Sequence, residues 1–429
     1  MKHTVTEHKL KSGAKGLIIN VPDSAVINIL VRFNSGYQFT DPERYEVPHV
    51  MEHVLANISQ KYPGPNEFNI EVAKNGAYIN ANTSASFNGY VYESAAFELD
   101  RILDLLEEQL VRPLFDPASV KSELGNVREE LTRITTQHGS VCNIRFGERA
   151  YPDQIKDYDS RIAQLPNIEA KHLEAHYRKT HTAANARFFV AGTFADGGQA
   201  VTARLEQLFS QLPRGERLRP SEAIGRHFDQ PVVIKRDIQQ LYYTFEVFGE
   251  ELTHQERRAM TMLRLILGGG KASRVFGEAR RRGLAYQVSV GGSADPGNSS
   301  FGFGGYVTPT NAIELFKLFT RAYAAMAADG PTVAELEAAR NLGIGSTQRS
   351  YQRGGDMVSW YLGAYDTKEE IIDFDTYLEE LKQVTPAQIK AVAQKLTALH
   401  RSGFSVLGEV DEFKAAEYAA ILKPIWAQA

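Results

Sequence analysis

The sequence predicts an α+β protein of two tandem homologous domains, each a mostly antiparallel sheet packed by helices. Three observations carry that expectation: a Pro/Gly-punctuated stretch near the middle of the chain, one order of β-rich and helical segments repeated on either side of it, and a length of 429 residues with 43% hydrophobic and 23% charged residues. A chain of this size and apolar content can bury two cores of ordinary domain size.

The middle stretch runs from Leu212 to Gln230 and contains Pro213, Arg214, Gly215, Arg217, Arg219, Pro220 and Gly225. Its charge, its turn-forming residues and its lack of apolar periodicity mark a linker. Taking 213–230 as that linker leaves an N-terminal domain over 1–212 and a C-terminal domain over 231–429, each of roughly 210 residues.

The repeat is read from the order of its elements. Each half opens on a β-rich stretch, Gly16 to Phe33 in one and Val232 to Phe248 in the other. A helix then opens near Asp41 and near Thr253, respectively. A Gly-marked turn leads into strands, Asn75-Gly76-Ala77-Tyr78-Ile79-Asn80 against Arg282-Gly283-Leu284-Ala285-Tyr286-Gln287. Long amphipathic helices follow, and each half closes on a β-like run ending in Gly, from Ala186 to Gly192 and from Ser402 to Gly408. That order suggests a duplicated α+β unit.

Composition narrows the function classes. A formal net charge of -4 gives no global basic surface for nucleic acid or an anionic membrane, so a peptide or small-molecule partner is expected. The single cysteine, Cys142, excludes an intrachain disulfide framework and a Cys-rich metal knuckle. Any metal must therefore be held by histidines and carboxylates. The first residues, Met1 to His8, alternate polar and apolar without a signal-peptide core, and no apolar run reaches the ~18 residues of a membrane span. A cytoplasmic protein with no membrane span is expected.

The chemistry concentrates in one short run. Asp41-Pro42-Glu43 reads as a helix start, an N-cap followed by Pro at the first helical position, and Val47, Val50, Met51, Val54 and Leu55 continue at helical spacing. On such a helix His49 and His53 are i and i+4, one turn apart on one face, with Glu52 beside them. Two imidazoles can share one ion there, while Glu52 is placed to reach a water rather than the metal. Catalytic zinc typically keeps three protein ligands, so a third must come from elsewhere. The predicted helix from Ser119 to Thr136 offers Glu123, Glu129 and Glu130, of which Glu123 and Glu130 lie two turns apart and face the same way.

His49-Val50-Met51-Glu52-His53 is the inverted zinc-peptidase pattern H-x-x-E-H, and its surroundings resemble the pitrilysin or insulinase family, peptidase family M16. In that family the pattern is followed by sixty-nine residues, a Glu, six residues and a second Glu; counted from His53, those positions here are Glu123 and Glu130. The resemblance implies that His49, His53 and Glu130 bind one Zn2+ per chain, that Glu52 is the general base of peptide hydrolysis, and that Glu123 supports the site from behind the ligands.

Asn80-Ala81-Asn82-Thr83-Ser84, after Gly76, looks like the family's G-x-x-N-A-x-T segment. By resemblance, Asn80 and the backbone of Ala81 would pair with an extended substrate in an edge-strand arrangement. Leu267 to Phe276, followed by Arg282-Gly283-Leu284-Ala285-Tyr286, is similar to the family's second-domain signature, in which an Arg and a Tyr seven positions apart bind substrate and stabilise the oxyanion. This chain departs from that spacing: seven before Tyr286 is Ala279, and the nearest candidate is Arg280, six before it. Tyr286 and Arg280 are the expected catalytic contribution of the second half.

That half has no metal set of its own, with Gly343 where Glu130 would sit and no histidine pair near Met260. His172 and His176 are also spaced i and i+4, but the intervening Glu174 faces away from both, so an ordinary helix is expected there. Family members of this size pair two chains into a clamshell around a closed chamber. The resemblance thus implies a homodimer, or a heterodimer with a related and possibly metal-free subunit, acting on peptides or unfolded segments. The family also contains non-catalytic scaffold subunits, which usually lack part of the metal set retained here.

Overall fold

The structure, a computed structural model, describes residues 2–64, 66–295 and 297–427. In chain order its first half contains β1 (Thr4–Lys9), β2 (Lys15–Asn20), β3 (Val26–Phe33), α1 (Val47–Asn57), α2 (Glu67–Ala73), β4 (Tyr78–Thr83), β5 (Asn88–Ala95), α3 (Leu99–Val111), α4 (Pro117–Ile134), α5 (His138–Ala150), α6 (Tyr158–Gln164), α7 (Ala170–Thr180), β6 (Ala186–Gly192) and α8 (Gln199–Phe209). The second half contains β7 (Val232–Lys235), β8 (Leu241–Gly249), α9 (His254–Gly268), α10 (Phe276–Arg281), β9 (Val288–Asp295), β10 (Asn298–Val307), α11 (Pro309–Asp329), α12 (Val333–Ser350), α13 (Gly354–Lys368), α14 (Phe374–Gln383), α15 (Pro386–Lys395), β11 (Arg401–Gly408) and α16 (Glu412–Leu422).

The apolar runs that close each half are buried from end to end, or nearly so, because each lies inside a sheet. β6 pairs parallel with β2 and antiparallel with β3. β11 pairs parallel with β7 and antiparallel with β8. Strands covered on both faces read as continuous apolar segments rather than alternating ones. The first sheet has the order β1-β2-β6-β3-β5-β4 and the second β7-β11-β8-β10-β9. Without β1, the two orders are one topology written twice, with the parallel pair at the same place in each. The fold is therefore two α+β units of common design, as the repeated element order predicts.

The units are not consecutive in the chain. One comprises Met1–Thr132, Asp159–Ser221 and Ser350–Ile371; the other comprises Arg133–Tyr158, Glu222–Arg349 and Ile372–Ala429. The division into 1–212 and 231–429 thus misassigns two segments, which carry α5 and α13. The reason lies in packing. α5 rests on β8 and β11, where Val141 and Cys142 bury against Leu407, and Phe146 and Ala150 against Phe228 and Phe248.

α13 rests on β6 and β3, where Met357, Val358, Tyr361 and Tyr365 bury against Leu17, Ile19, Leu30 and Phe189. Four such side chains contribute on the order of 6–12 kcal/mol of transfer free energy before chain entropy is subtracted. Asp366, at the end of α13, pairs with Arg32 at 2.7 Å and Arg217 at 2.9 Å. Periodicity in a sequence reveals that a helix has an apolar face; it does not reveal which sheet that face covers.

The start of α1 also differs from expectation. Asp41 does cap, accepting from the Glu43 amide at 2.9 Å, but it caps a short 3-10 turn over Pro42–Arg44. The α-helix begins at Val47, with Pro48 in its first turn, where a missing N–H removes no helical bond. Among the described residues no helix is long and apolar enough to cross a membrane.

Candidate metal centre

α1 is buried on most of its surface. Val50, Met51, Val54 and Leu55 are inaccessible, and His49 and Glu52 are each 8% exposed. The helical spacing places the His49 and His53 rings 4.8 Å apart, centre to centre, and nearly perpendicular. From α4, two turns beyond Glu123, Glu130 brings Oε2 to 3.6 Å from Nε2 of each ring. Ligand atoms of His49, His53 and Glu130 all lie within 4.8 Å of one another.

The other ring nitrogen of each histidine is occupied. His49 Nδ1 donates to Glu46 Oε2 at 2.8 Å, and His53 Nδ1 donates to Glu123 Oε2 at 3.1 Å. Those bonds select the tautomer that leaves both Nε2 atoms free to coordinate. Glu123 is itself held by the amides of Asn57 at 3.1 Å and Asn126 at 3.0 Å. Glu46 accepts from Arg161 Nε at 2.5 Å, and both residues are buried.

The electrostatics are those of a cation site. Burial would lower the pKa of both rings, yet Glu130 and Glu46 push His49 up to about 9, and Glu123 and Glu130 do the same for His53. Their hydrogen bonds hold Glu130 well below the usual carboxylate range. Burial would raise Glu46, but Arg161 and His49 keep it lowered. A dication binding there would compete with protons for the same ring nitrogens.

Glu52 is in a different state. Burial raises its pKa and outweighs the lowering effect of the bond from Thr83 and the charges of His49 and His53. Thr83 Oγ1 donates to Glu52 Oε2 at 2.5 Å, Asn88 Nδ2 donates to Thr83 Oγ1 at 2.6 Å, and Ser35 Oγ donates to Asn88 Oδ1 at 2.7 Å. Glu52 is thus a buried carboxyl with a raised pKa that stands beside the three ligand atoms and is not one of them.

The donor set suits zinc: two imidazole nitrogens and one carboxylate, with Nε2–Oε2 separations near the ~3.3 Å that tetrahedral ligands about 2.0–2.1 Å from the ion would have. Glu130 is the most accessible of the three, its side chain 36% exposed, so the basin opens on its side.

Thr83 lies on β4, against which α1 packs, and β4 is the last strand of its sheet, paired with β5 alone. Asn80 and Ala81 sit in the middle of this edge strand, opposite Val91 and Tyr90, with Asn80 exposed.

Arg280 and Tyr286 are brought together in the second unit. The guanidinium carbon of Arg280 lies 4.2 Å from the centre of the Tyr286 ring, and its Nη1 donates to the Tyr286 carbonyl at 3.2 Å. Tyr286 is 72% exposed. With Gln240, Tyr306, Thr308 and Asn311, the pair lines a cavity of about 360 Å3. Ala279 is wholly buried in the core, whereas Arg281 and Arg282 pair with Glu278 and Glu314. In the same unit Gly343 is buried against α9, where a side-chain carbon would meet Leu265 at 3.1 Å and Met262 at 3.3 Å.

His172 and His176 diverge. His172 accepts from the Glu169 amide in a helix cap, and His176 is buried with Nε2 against the Ser35 carbonyl at 2.8 Å. Glu46 and Arg161 stand behind His49 and lie outside the H-x-x-E-H motif. Glu46 carries a signal, since it lies three residues before His49 on one helix face. Arg161 carries none, being more than a hundred residues distant in the chain.

Residues 17–155 match the family model described as Insulinase (Peptidase family M16), and residues 167–342 match the one described as Peptidase M16 inactive domain. An uncharacterized zinc protease of Streptomyces coelicolor is 24% identical over 429 residues, covering 96% of this chain and 91% of its own. The uncharacterized zinc protease YmxG of Bacillus subtilis is 22% identical, covering 91% of this chain and 95% of its own. Among solved structures, a peptidase M16 inactive domain from Pseudomonas fluorescens superposes with a TM-score of 0.83 at 18% identity, covering 95% of this chain and 98% of that one. A protease from Helicobacter pylori does so with a TM-score of 0.80 at 17% identity, covering 95% and 99%. At such identities the solved structures speak to the fold, and the two family models, which together match most of the sequence between residues 17 and 342, speak to descent: the chain belongs to peptidase family M16.

Proposed function

We propose that the chain is a zinc-dependent endopeptidase. The observation that carries this reading is the convergence of His49, His53 and Glu130 beside a carboxyl, Glu52, that belongs to none of the ligand contacts. A bound Zn2+ would supply Lewis acidity toward the scissile carbonyl and acidify a water molecule.

His49, His53 and Glu130 would hold the ion, and Glu123 fixes His53. Glu52, kept facing the basin by Thr83, accepts the proton of the attacking water and returns it to the leaving amine. The outer side of β4, at Asn80 and Ala81, receives the substrate as an added strand. Tyr286, with Arg280 stacked on it, stabilises the oxyanion of a site completed in a dimer with a second chain of the same kind or a related one. The chamber so formed admits peptides or unfolded segments.

The full ligand set favours this over a non-catalytic scaffold subunit. Purified, metal-replete protein should contain about one zinc per chain and cleave quenched peptides; Glu52→Gln should retain the zinc and lose about 10²–10⁴-fold in turnover. Less than about 0.3 zinc per chain, or cleavage that survives complete chelation, would sink the reading.

A further inference from the structure

His49 and His53 are both backed by glutamates, but the two backings are built differently. Glu123 reaches across from α4, is steadied by the neutral amides of Asn57 and Asn126, and belongs to the motif spacing. Glu46 lies on α1's own doorstep. It is the N-cap residue of that helix, the position where a carboxylate ordinarily accepts from a free backbone amide, yet its side chain makes no cap bond.

Its two oxygens are committed elsewhere. Oε2 accepts from His49 Nδ1 at 2.8 Å and from Arg161 Nη2 at 3.2 Å, and Oε1 accepts from Arg161 Nε at 2.5 Å. Glu46 is 0% exposed and Arg161 8%. Arg161, on α6, also donates to the Tyr37 hydroxyl at 3.0 Å, and its guanidinium lies 5.1 Å and 5.5 Å from the ring centres of Tyr37 and Tyr45, themselves stacked at 4.4 Å. A carboxylate this deep is costly unless a cation and directional bonds compensate it, and all of them are present.

We propose that Glu46 is the positioning residue for His49: held by Arg161, which lies against the stacked rings of Tyr37 and Tyr45, its carboxylate fixes the imidazole in the Nδ1–H form and aims Nε2 at Glu130 and His53. This rests on the reading of that cluster as a zinc site. Outer carboxylates of this kind orient the ring and strengthen it as a ligand. Because Arg161 neutralises Glu46, while Glu123 has only amide partners, His49 is the oriented but less electron-rich ligand of the two, and His53 the more strongly donating one.

The test uses the full chain. Glu46→Leu with Arg161→Met removes both charges together, so that neither is left buried alone. Zinc affinity is measured by competition with a chromophoric chelator, and the visible absorption of the Co2+-substituted protein reports the ligand field. The double variant should melt cooperatively, bind zinc about 10–100-fold more weakly and show an altered Co2+ spectrum. Glu46→Gln, nearly isosteric, covers the case in which the double variant does not fold. An amide has one acceptor oxygen for the two donors His49 and Arg161, so it too should lose zinc affinity, by a smaller factor. Folded variants whose zinc affinity stays within about two-fold of wild type, with an unchanged Co2+ spectrum, would overturn the role of Glu46. A wild-type chain that takes up no zinc would instead overturn the reading on which this one rests.

Discussion

Thr83 donates its hydroxyl to Glu52 Oε2 at 2.5 Å, joining the edge strand β4 directly to the carboxyl that stands beside the histidines. One short side chain thus ties the strand proposed to receive substrate to the group proposed to act on it. The bond also lowers the Glu52 pKa against the larger effect of burial.

Thr83→Val keeps the shape of the side chain and removes the hydroxyl. Glu52 must be ionised to act as a base, so activity falls as pH drops through its pKa. Removing a lowering contribution moves that acid limb upward. The expected result is a loss of about 10-fold in kcat/KM at neutral pH, an acid limb displaced to higher pH, and unchanged zinc content. A pH–rate profile superimposable on wild type would refute the coupling.

Metal uptake should depend on pH with a defined sign. His49 and His53 are raised from about 6.5 to about 9 in the metal-free chain by Glu130 and the carboxylates behind them. Their contribution to metal-free stability is therefore full below pH 6.5 and is lost as pH rises through about 9. Zinc binds the neutral rings, so its apparent affinity should climb from pH 6.5 toward 9 and then level off, with proton release on binding. Calorimetric titrations in buffers of different ionisation enthalpy measure both; a flat affinity over that range would contradict the assignment.

A second pH effect lies in the other unit. Glu246, on β8, is raised by burial to about 6, with only a partial offset from a hydrogen bond to Ser300. A raised carboxyl contributes its stability below the ordinary carboxylate value and loses it as pH rises through about 6. Glu246→Gln should therefore stabilise the protein by about 1–2 kcal/mol at neutral pH and leave it nearly unchanged near pH 4.5. Thermal melts at the two pH values decide this; equal shifts at both would rule it out.

Asp366→Asn should be costly far from any catalytic group. It leaves Arg32 and Arg217, both more than three-quarters buried, without the carboxylate they share. A loss of about 3–5 kcal/mol is expected, measured by urea unfolding of the zinc-loaded protein. A loss below about 1 kcal/mol would mean that α13 is held by its apolar face alone.

Much of this molecule is legible in its residues. Two histidines at i and i+4 need only helical geometry to meet, and Glu123 and Glu130 need only be two turns apart to present one ligand and one support. The strands that close each half announce themselves as unbroken apolar runs. Arg161 is invisible there, because a buried cation far along the chain has no local pattern to betray it. The start of α1 is not legible, because Asp41 and Pro42 form a good cap for any first turn, and the sequence does not say whether that turn continues. The placement of α5 and α13 has another reason to stay hidden: their periodicity shows an apolar face on each helix but not which of the two sheets that face covers.

That exchange bears on how such a gene can be cut. A fragment ending near Leu212 would carry α5 without the strands it covers, and would leave Leu17, Ile19, Leu30 and Phe189 bare for want of α13. Expressed alone, each half should aggregate; produced together, the two should rescue one another into a soluble, zinc-binding pair even with the linker severed. Each α+β unit draws one helix from the half of the sequence that otherwise builds the other, so neither half of the sequence encodes a whole unit.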